Sequence, residues 1–166
     1  MSPPRPRLYV CIIALAANLH YADNTGDGRH HILPIQGSPI LQTTPVVAIV
    51  DDDRAVRSAL ASLVRSLGLD AHLFASAEAF LASGEASATA CLVSDIRMPG
   101  MSGVELHEQL IADGLNPPTI FITAYATPAV AAKTTTNGAL VLLPKPFLAR
   151  EMTHWLSVAI GSPLAG

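Results

Sequence analysis

The chain has 166 residues, about the size of one domain, and half of them are hydrophobic, enough for a sizeable core. Its net charge of -3 leaves no basic face for phosphate backbones, which argues against a nucleic-acid reader. Its two cysteines, Cys11 and Cys91, stand far apart, and Cys91 lies inside an apolar run, so no disulfide framework is expected and a reducing compartment fits best.

Residues 1–45 differ in character from the rest and read as an N-terminal extension. Arg5 and Arg7 precede the short apolar run from Leu8 to Ala17, which resembles a secretory signal. That run is too short to cross a bilayer, which needs about 20 apolar residues, so no membrane span is expected. A poorly ordered extension, or translation from an upstream start, is the preferred reading. Gly26, Gly28, Pro34, Gly37, Pro39 and Pro45 punctuate the segment like a linker. Asp23 to Gly28 imitates the start of a calcium loop, but Thr25 holds its third place and Pro34 its twelfth, where an acidic or amide residue and a glutamate belong. The adjacent His30 and His31 read as solvated loop residues.

From residue 46 onward, short apolar runs alternate with helical patterns, the signature of a parallel sheet wrapped by helices. Val46 to Val50 is the first strand. Val56, Leu60, Leu63, Val64 and Leu67 then share one helical face, and Gly68 stands where a left-handed cap belongs. A second strand is expected at 71–74, followed by a short helix capped by Ser76 and ending near Gly84. Residues 90–94 form the third strand. Ser102 and Glu105 have capping-box spacing at the start of a helix that stops at Gly114. Residues 119–122 form the fourth strand.

Between Pro128 and Gly138 the spacing gives only a frayed helix, because Thr134, Thr135 and Thr136 lose rotamer freedom in helical backbone. Leu140 to Leu143 is the fifth strand, and Pro144, which cannot donate to a ladder, places it at an edge. Met152, Trp155, Leu156, Ala159 and Ile160 follow helical spacing, so a last helix packs on the sheet, with 162–166 as a tail. Residues 46–161 thus form one α/β domain.

Polar residues end four of these runs: Asp51 and Asp52, Asp95, Thr123, and Lys145. Parallel strands deliver their C-terminal ends to one edge of an open sheet, where ligands bind. Carboxylates gathered within about 4 Å repel one another by roughly 4 kcal/mol per pair at an effective dielectric near 20, so they need a cation or protonation. Hard oxygen ligands without histidine or cysteine point to Mg²⁺. A carboxylate beside Mg²⁺ and a lysine suits acceptance of a phosphoryl group, a transfer that is mostly positioning and charge neutralisation. Asp53, by contrast, reads as the cap of the first helix.

The runs Ile49 to Asp53, Asp95 to Leu106 (DIRMPGMSGVEL), Ile122-Thr123-Ala124 and Lys145-Pro146-Phe147 resemble, in order and spacing, the receiver domain of two-component response regulators. The local wording is similar to receivers of nitrogen-fixation regulators of the LuxR type, and the likeness covers residues 46 to 160. It implies a flavodoxin-like, doubly wound five-stranded parallel sheet of order 2-1-3-4-5 with five helices, the order the general rule for such folds gives this family. It implies further that Asp95 is the phosphoacceptor, charged by a sensor histidine kinase. Asp51, Asp52, Asp95 and the backbone carbonyl of Arg97 would hold Mg²⁺, Thr123 would act as the switch residue, and Lys145 would pair with the phosphoryl group. The Lys145-Pro146 bond is expected to be cis. By the same resemblance, Arg97 and Tyr125 sit where family members tune the lifetime of the acyl phosphate.

The same resemblance implies a cytoplasmic protein, not itself an enzyme beyond self-phosphotransfer and autodephosphorylation. No helix-turn-helix pattern follows Ile160, so output is expected through a protein partner, a phosphorylation-dependent homodimer or a phosphate sink, without direct nucleic-acid contact. Leu142 stands where family members commonly carry Tyr or Phe, so a diverged signalling surface or a pseudo-receiver is a second reading. A haloacid-dehalogenase-type phosphatase is a third, on the Asp51-Asp52-Asp53 run. There Asp51 would be the nucleophile, although Ala55 stands where that family usually has threonine.

Overall fold

The computed structural model describes residues 43–164, so the apolar run at 8–17, the calcium-loop imitation at 23–34 and the paired histidines lie outside the described residues. Five strands, β1 (Val46–Val50), β2 (Asp70–Phe74), β3 (Thr89–Asp95), β4 (Thr119–Thr123) and β5 (Val141–Pro144), form one parallel sheet in the order β2-β1-β3-β4-β5. Five helices connect and close it: α1 (Arg54–Ser66), α2 (Ala77–Ser83), α3 (Gly103–Ala112), α4 (Pro128–Thr136) and α5 (Ala149–Ile160). A 3-10 turn at Glu85–Ala88, which local pattern did not announce, leads into β3. The alternation of runs predicts such a helix-wrapped parallel sheet, and its order is the flavodoxin-like one that the family resemblance implies.

Two buried clusters cover the faces of the sheet. Val47, Ile49, Cys91, Val93, Ile120 and Ile122 point to the side covered by Leu60 and Val64 of α1 and by Met152 and Leu156 of α5. The alternate residues Ala48, Val50 and Leu92 pack with Phe80 of α2 and Leu106 and Leu110 of α3. Strands buried on both faces read as continuous apolar runs, which is why β1, β3 and β4 were legible from sequence. Burial also pushes the Cys91 thiol up to about 12, so it behaves as a packing group.

The caps fall where the sequence places them. Asp53 accepts hydrogen bonds from the N–H groups of Ala55 and Val56, and Ser76 from that of Ala79. Ser102 and Glu105 close a reciprocal capping box. Gly68 and Gly114 follow α1 and α3 at φ of +77°, a left-handed conformation cheap only for glycine. Pro144 lies on the edge strand β5, so its missing N–H breaks no ladder.

The fourth helix corrects the expectation of fraying. Thr127 caps it with its side chain on the N–H of Val130, and Pro128 opens it at a position where proline costs nothing. The threonine hydroxyls donate back into the helix: Thr134 and Thr135 to the carbonyl of Ala131 and Thr136 to that of Ala132, at 2.9–3.0 Å. Glu108 of α3 then accepts from Asn137 at 2.8 Å and pairs with Lys133 at 3.2 Å. Tertiary contact and hydroxyl satisfaction outweigh weak propensity, which spans only tenths of a kcal/mol per residue.

Candidate functional site

The C-terminal ends of β1, β3, β4 and β5 meet at one edge of the sheet, and the predicted polar residues meet with them. Carboxylate oxygens of Asp51, Asp52 and Asp95 all lie within 4.8 Å of one another. The Lys145 ammonium, 94 residues along the chain from Asp51, donates to Asp51 Oδ2 at 2.7 Å and to Asp95 Oδ2 at 2.8 Å. Thr123 is buried at the end of β4, and its Oγ1 accepts from the N–H of Tyr125 at 3.1 Å. Asp53 is not among the clustered carboxylates, and its side chain caps α1.

The three carboxylates differ in surroundings. Asp51 is fully buried, Asp95 is 8% exposed and Asp52 is open to solvent. Burial disfavours the Asp51 carboxylate and raises its pKa above the ordinary value, against the hydrogen bonds from Lys145 and from the N–H of Asp53. Burial also works against the Lys145 ammonium, but its hydrogen bonds to Asp51 and Asp95 and their charges outweigh it and hold its pKa above that of an ordinary lysine. Lys145 is followed by a cis peptide bond to Pro146 at the β5–α5 turn.

Backbone around Asp95 is fixed at several points. The N–H of Arg97 donates to Asp95 Oδ1 at 3.1 Å, and the loop closes where the N–H of Gly103 donates to the carbonyl of Ile96 at 3.1 Å. Gly103 has no room for a side chain: a Cβ would collide with the carbonyl oxygen of Asp95 and lie 2.6 Å from Ser94 Oγ. Above the edge, the Arg97 guanidinium sits 4.7 Å over the ring centroid of Tyr125, which is 61% exposed. This cation–π contact spans the loops after β3 and β4.

Two contributors escaped the sequence reading. Arg57 of α1 donates through Nη1 to the backbone carbonyl of Asp51, anchoring the turn that carries both leading aspartates. Glu78 of α2 reaches across to the N–H of Met101. Both act on backbone atoms outside their own helices, six residues away for Arg57 and 23 for Glu78, and sequence spacing carries no signal for that.

The donor set consists of oxygen atoms alone, and an ammonium already offsets part of its charge. That combination fits a hard divalent cation such as Mg²⁺, which takes one or two carboxylates with water and phosphate oxygens. It leaves a carboxylate, Asp95, beside a cation site and a lysine.

Comparison with known proteins agrees with this arrangement. The family model for the response regulator receiver domain matches residues 47–157. Response regulator protein TodT of Pseudomonas putida is 42% identical over 115 residues, which cover 69% of this chain and 51% of TodT. Among solved structures, response regulator StyR superposes with a TM-score of 0.64 at 40% identity, covering 72% of this chain and 60% of that chain. The crystal structure of FixJ-N gives 0.65 at 35% identity, with 75% and 99% covered. The chain belongs to the response regulator receiver domain family and is a receiver of the two-component type. It spans about half the length of the curated relatives it matches. Receiver domains are phosphorylated by sensor histidine kinases and bind Mg²⁺ at an acidic pocket. Among the described residues, no helix is long and apolar enough to cross a membrane.

Proposed function

We propose that residues 46–161 form a phosphorylation-activated switch that accepts a phosphoryl group on Asp95 from the phosphohistidine of a sensor kinase. The carrying observation is the Lys145 ammonium bridging Asp51 and Asp95 at 2.7 and 2.8 Å inside a three-carboxylate cluster. An Asp95 carboxylate oxygen forms the new bond to phosphorus as the bond from phosphorus to the histidine nitrogen breaks, giving an acyl phosphate. Asp51, Asp52, Asp95 and the backbone carbonyl of Arg97 would hold Mg²⁺, which when bound would supply charge neutralisation for phosphoryl transfer. Lys145 pairs with one of those oxygens, and Thr123 turns its hydroxyl toward another. Arg97 and Tyr125, stacked beside the site, set how long the acyl phosphate survives attack by water.

Output from this domain passes to a protein partner or a phosphorylation-dependent homodimer, or ends in a phosphate sink, and the domain works in the cytoplasm. Catalysis is confined to its own phosphorylation and dephosphorylation. Leu142, half-buried against the cluster of Ile96, Val104 and Phe121, supports a weakened coupling between Thr123 and the outer face. Strong amide-exchange changes in α4 and β5 on adding a phosphate mimic would contradict that weakened coupling.

Mass spectrometry after incubation with acetyl phosphate and Mg²⁺ tests the central reading. A hydroxylamine-sensitive phosphoryl adduct is expected on the wild type and absent from Asp95→Asn. An adduct that survives Asp95→Asn, or disappears only in Asp51→Asn because Asp51 carries the phosphate, overturns it.

A further inference from the structure

Glu78 stands on α2, which contributes none of the clustered carboxylates, yet it grips the loop between β3 and α3. Its Oε1 accepts a hydrogen bond from the N–H of Met101 at 2.8 Å across 23 residues of sequence. Gly100, just before, has φ of +78°, and a Cβ there would lie 2.5 Å from the same oxygen. The carboxylate therefore packs against a bare Cα and takes the amide that the left-handed turn presents. Beneath it, Ala77 and Phe80 of α2 share a buried cluster with Met98, and Met101 packs against that cluster. α2 thus holds the far half of the loop by one charged hydrogen bond and a layer of apolar contact. The near half carries Arg97, whose N–H orients the Asp95 carboxylate, and the loop is short enough to close on itself between Ile96 and Gly103. Displacement of one half moves the other.

We infer that Glu78 is a positioning residue for the acidic site: by fixing Met101 it holds the Arg97 segment where Asp95 and the cation need it. The inference rests on the phosphoacceptor reading above. An outer carboxylate that orients ligands commonly changes metal affinity by an order of magnitude or more, and one acting through a loop by less. Conservative replacement separates its two attributes, because glutamine keeps an acceptor oxygen and loses the charge.

The test uses the full chain as wild type, Glu78→Ala, Glu78→Gln and Gly100→Ala. In metal-free protein, amide hydrogen exchange at Met101 should accelerate about tenfold or more in Glu78→Ala and stay near wild type in Glu78→Gln. Calorimetric titration with Mg²⁺ alone should give a Kd raised about three- to tenfold in Glu78→Ala and little changed in Glu78→Gln. Gly100→Ala, which pushes a methyl group against the same oxygen from the loop side, should weaken Mg²⁺ binding in the same direction and keeps the question answerable if Glu78→Ala does not fold. Fast exchange at Met101 with wild-type Mg²⁺ affinity overturns the inference, as does equal weakening in Glu78→Ala and Glu78→Gln. Lowered thermal stability with unchanged Kd means a structural role alone and also overturns it. A wild type that binds Mg²⁺ but takes no phosphoryl group on Asp95 sinks the phosphoacceptor reading instead, leaving the Mg²⁺ comparison among variants intact.

Discussion

Replacing Asp51 by asparagine should stabilise the metal-free protein, and Mg²⁺ should shrink or reverse that advantage over wild type. Asp51 is fully buried, and its oxygens and those of Asp95 lie within 4.8 Å. At an effective dielectric near 20 the repulsion between them is about 3.5 kcal/mol, while attraction to Lys145 at 2.7 Å is about 6 kcal/mol. Taking the buried carboxylate out of water costs several kcal/mol more, so burial and the Asp95 repulsion together work against the Lys145 attraction and disfavour the ionised form. The raised pKa of Asp51 has the same sign: the folded state binds this proton more tightly than the unfolded chain, so stability falls as pH rises above the ordinary carboxylate range toward the folded pKa. Asparagine keeps an oxygen for Lys145 and for the N–H of Asp53 and removes the charge.

In EDTA at neutral pH, thermal denaturation of Asp51→Asn should therefore lie above wild type, by about 4 °C for each kcal/mol gained in a domain of this size. With Mg²⁺ at ten times its Kd, wild type gains about 1.4 kcal/mol by mass action, and the variant, short of one ligand, gains less, so the order closes or inverts. Destabilisation of Asp51→Asn in EDTA would refute the calculation, because it would make the Lys145 pair worth more than the desolvation it accompanies. A stabilisation of equal size with and without Mg²⁺ would refute the assignment of Asp51 to the cation site.

His107 supplies a second prediction. It is fully buried on α3 edge-on to Phe121, ring centroids 5.6 Å apart, and neither ring nitrogen has a partner among the described residues. Burial lowers its pKa, with the neighbouring Glu108 charge opposing, so its contribution to stability is complete above the unfolded value near 6.5 and is lost as pH falls toward the folded pKa. His107→Leu should raise the urea midpoint by an amount equivalent to about 1–2 kcal/mol, more at pH 5.5 than at pH 8; parallel losses on acidification in both proteins would contradict this. Gly103→Ala should cost about 3 kcal/mol in urea denaturation, since the methyl group meets the Asp95 carbonyl, which cannot swing aside as a side chain does. A near-neutral change there would show that α3 can shift without disturbing Asp95.

Much of this molecule is legible in local pattern. The strands buried on both faces appear as apolar runs, and the caps of α1, α2 and α3 are written in residues whose short polar side chains satisfy backbone groups two or three positions away: Asp53, Ser76 and Ser102. The polar residues at strand ends were identifiable for the same reason, because a strand's end is a local event and a parallel sheet brings all such ends to one edge. Helix α4 shows where local reading fails. Its three threonines predict fraying, and only the contacts of Lys133 and Asn137 with Glu108, together with hydroxyl bonds back to Ala131 and Ala132, decide otherwise.

Sequence alone determined the five strands, helices α1, α2, α3 and α5, and which side chains gather at the sheet edge, since periodicity and capping act over a few residues. Tertiary structure decided the rest: that Asp51 is sealed from water while Asp52 is open, that one ammonium serves both Asp51 and Asp95, that Glu78 holds Met101, and that His107 faces Phe121 without a polar partner. Desolvation and charge pairing depend on atoms brought together from dozens of residues apart, and no local pattern encodes those distances.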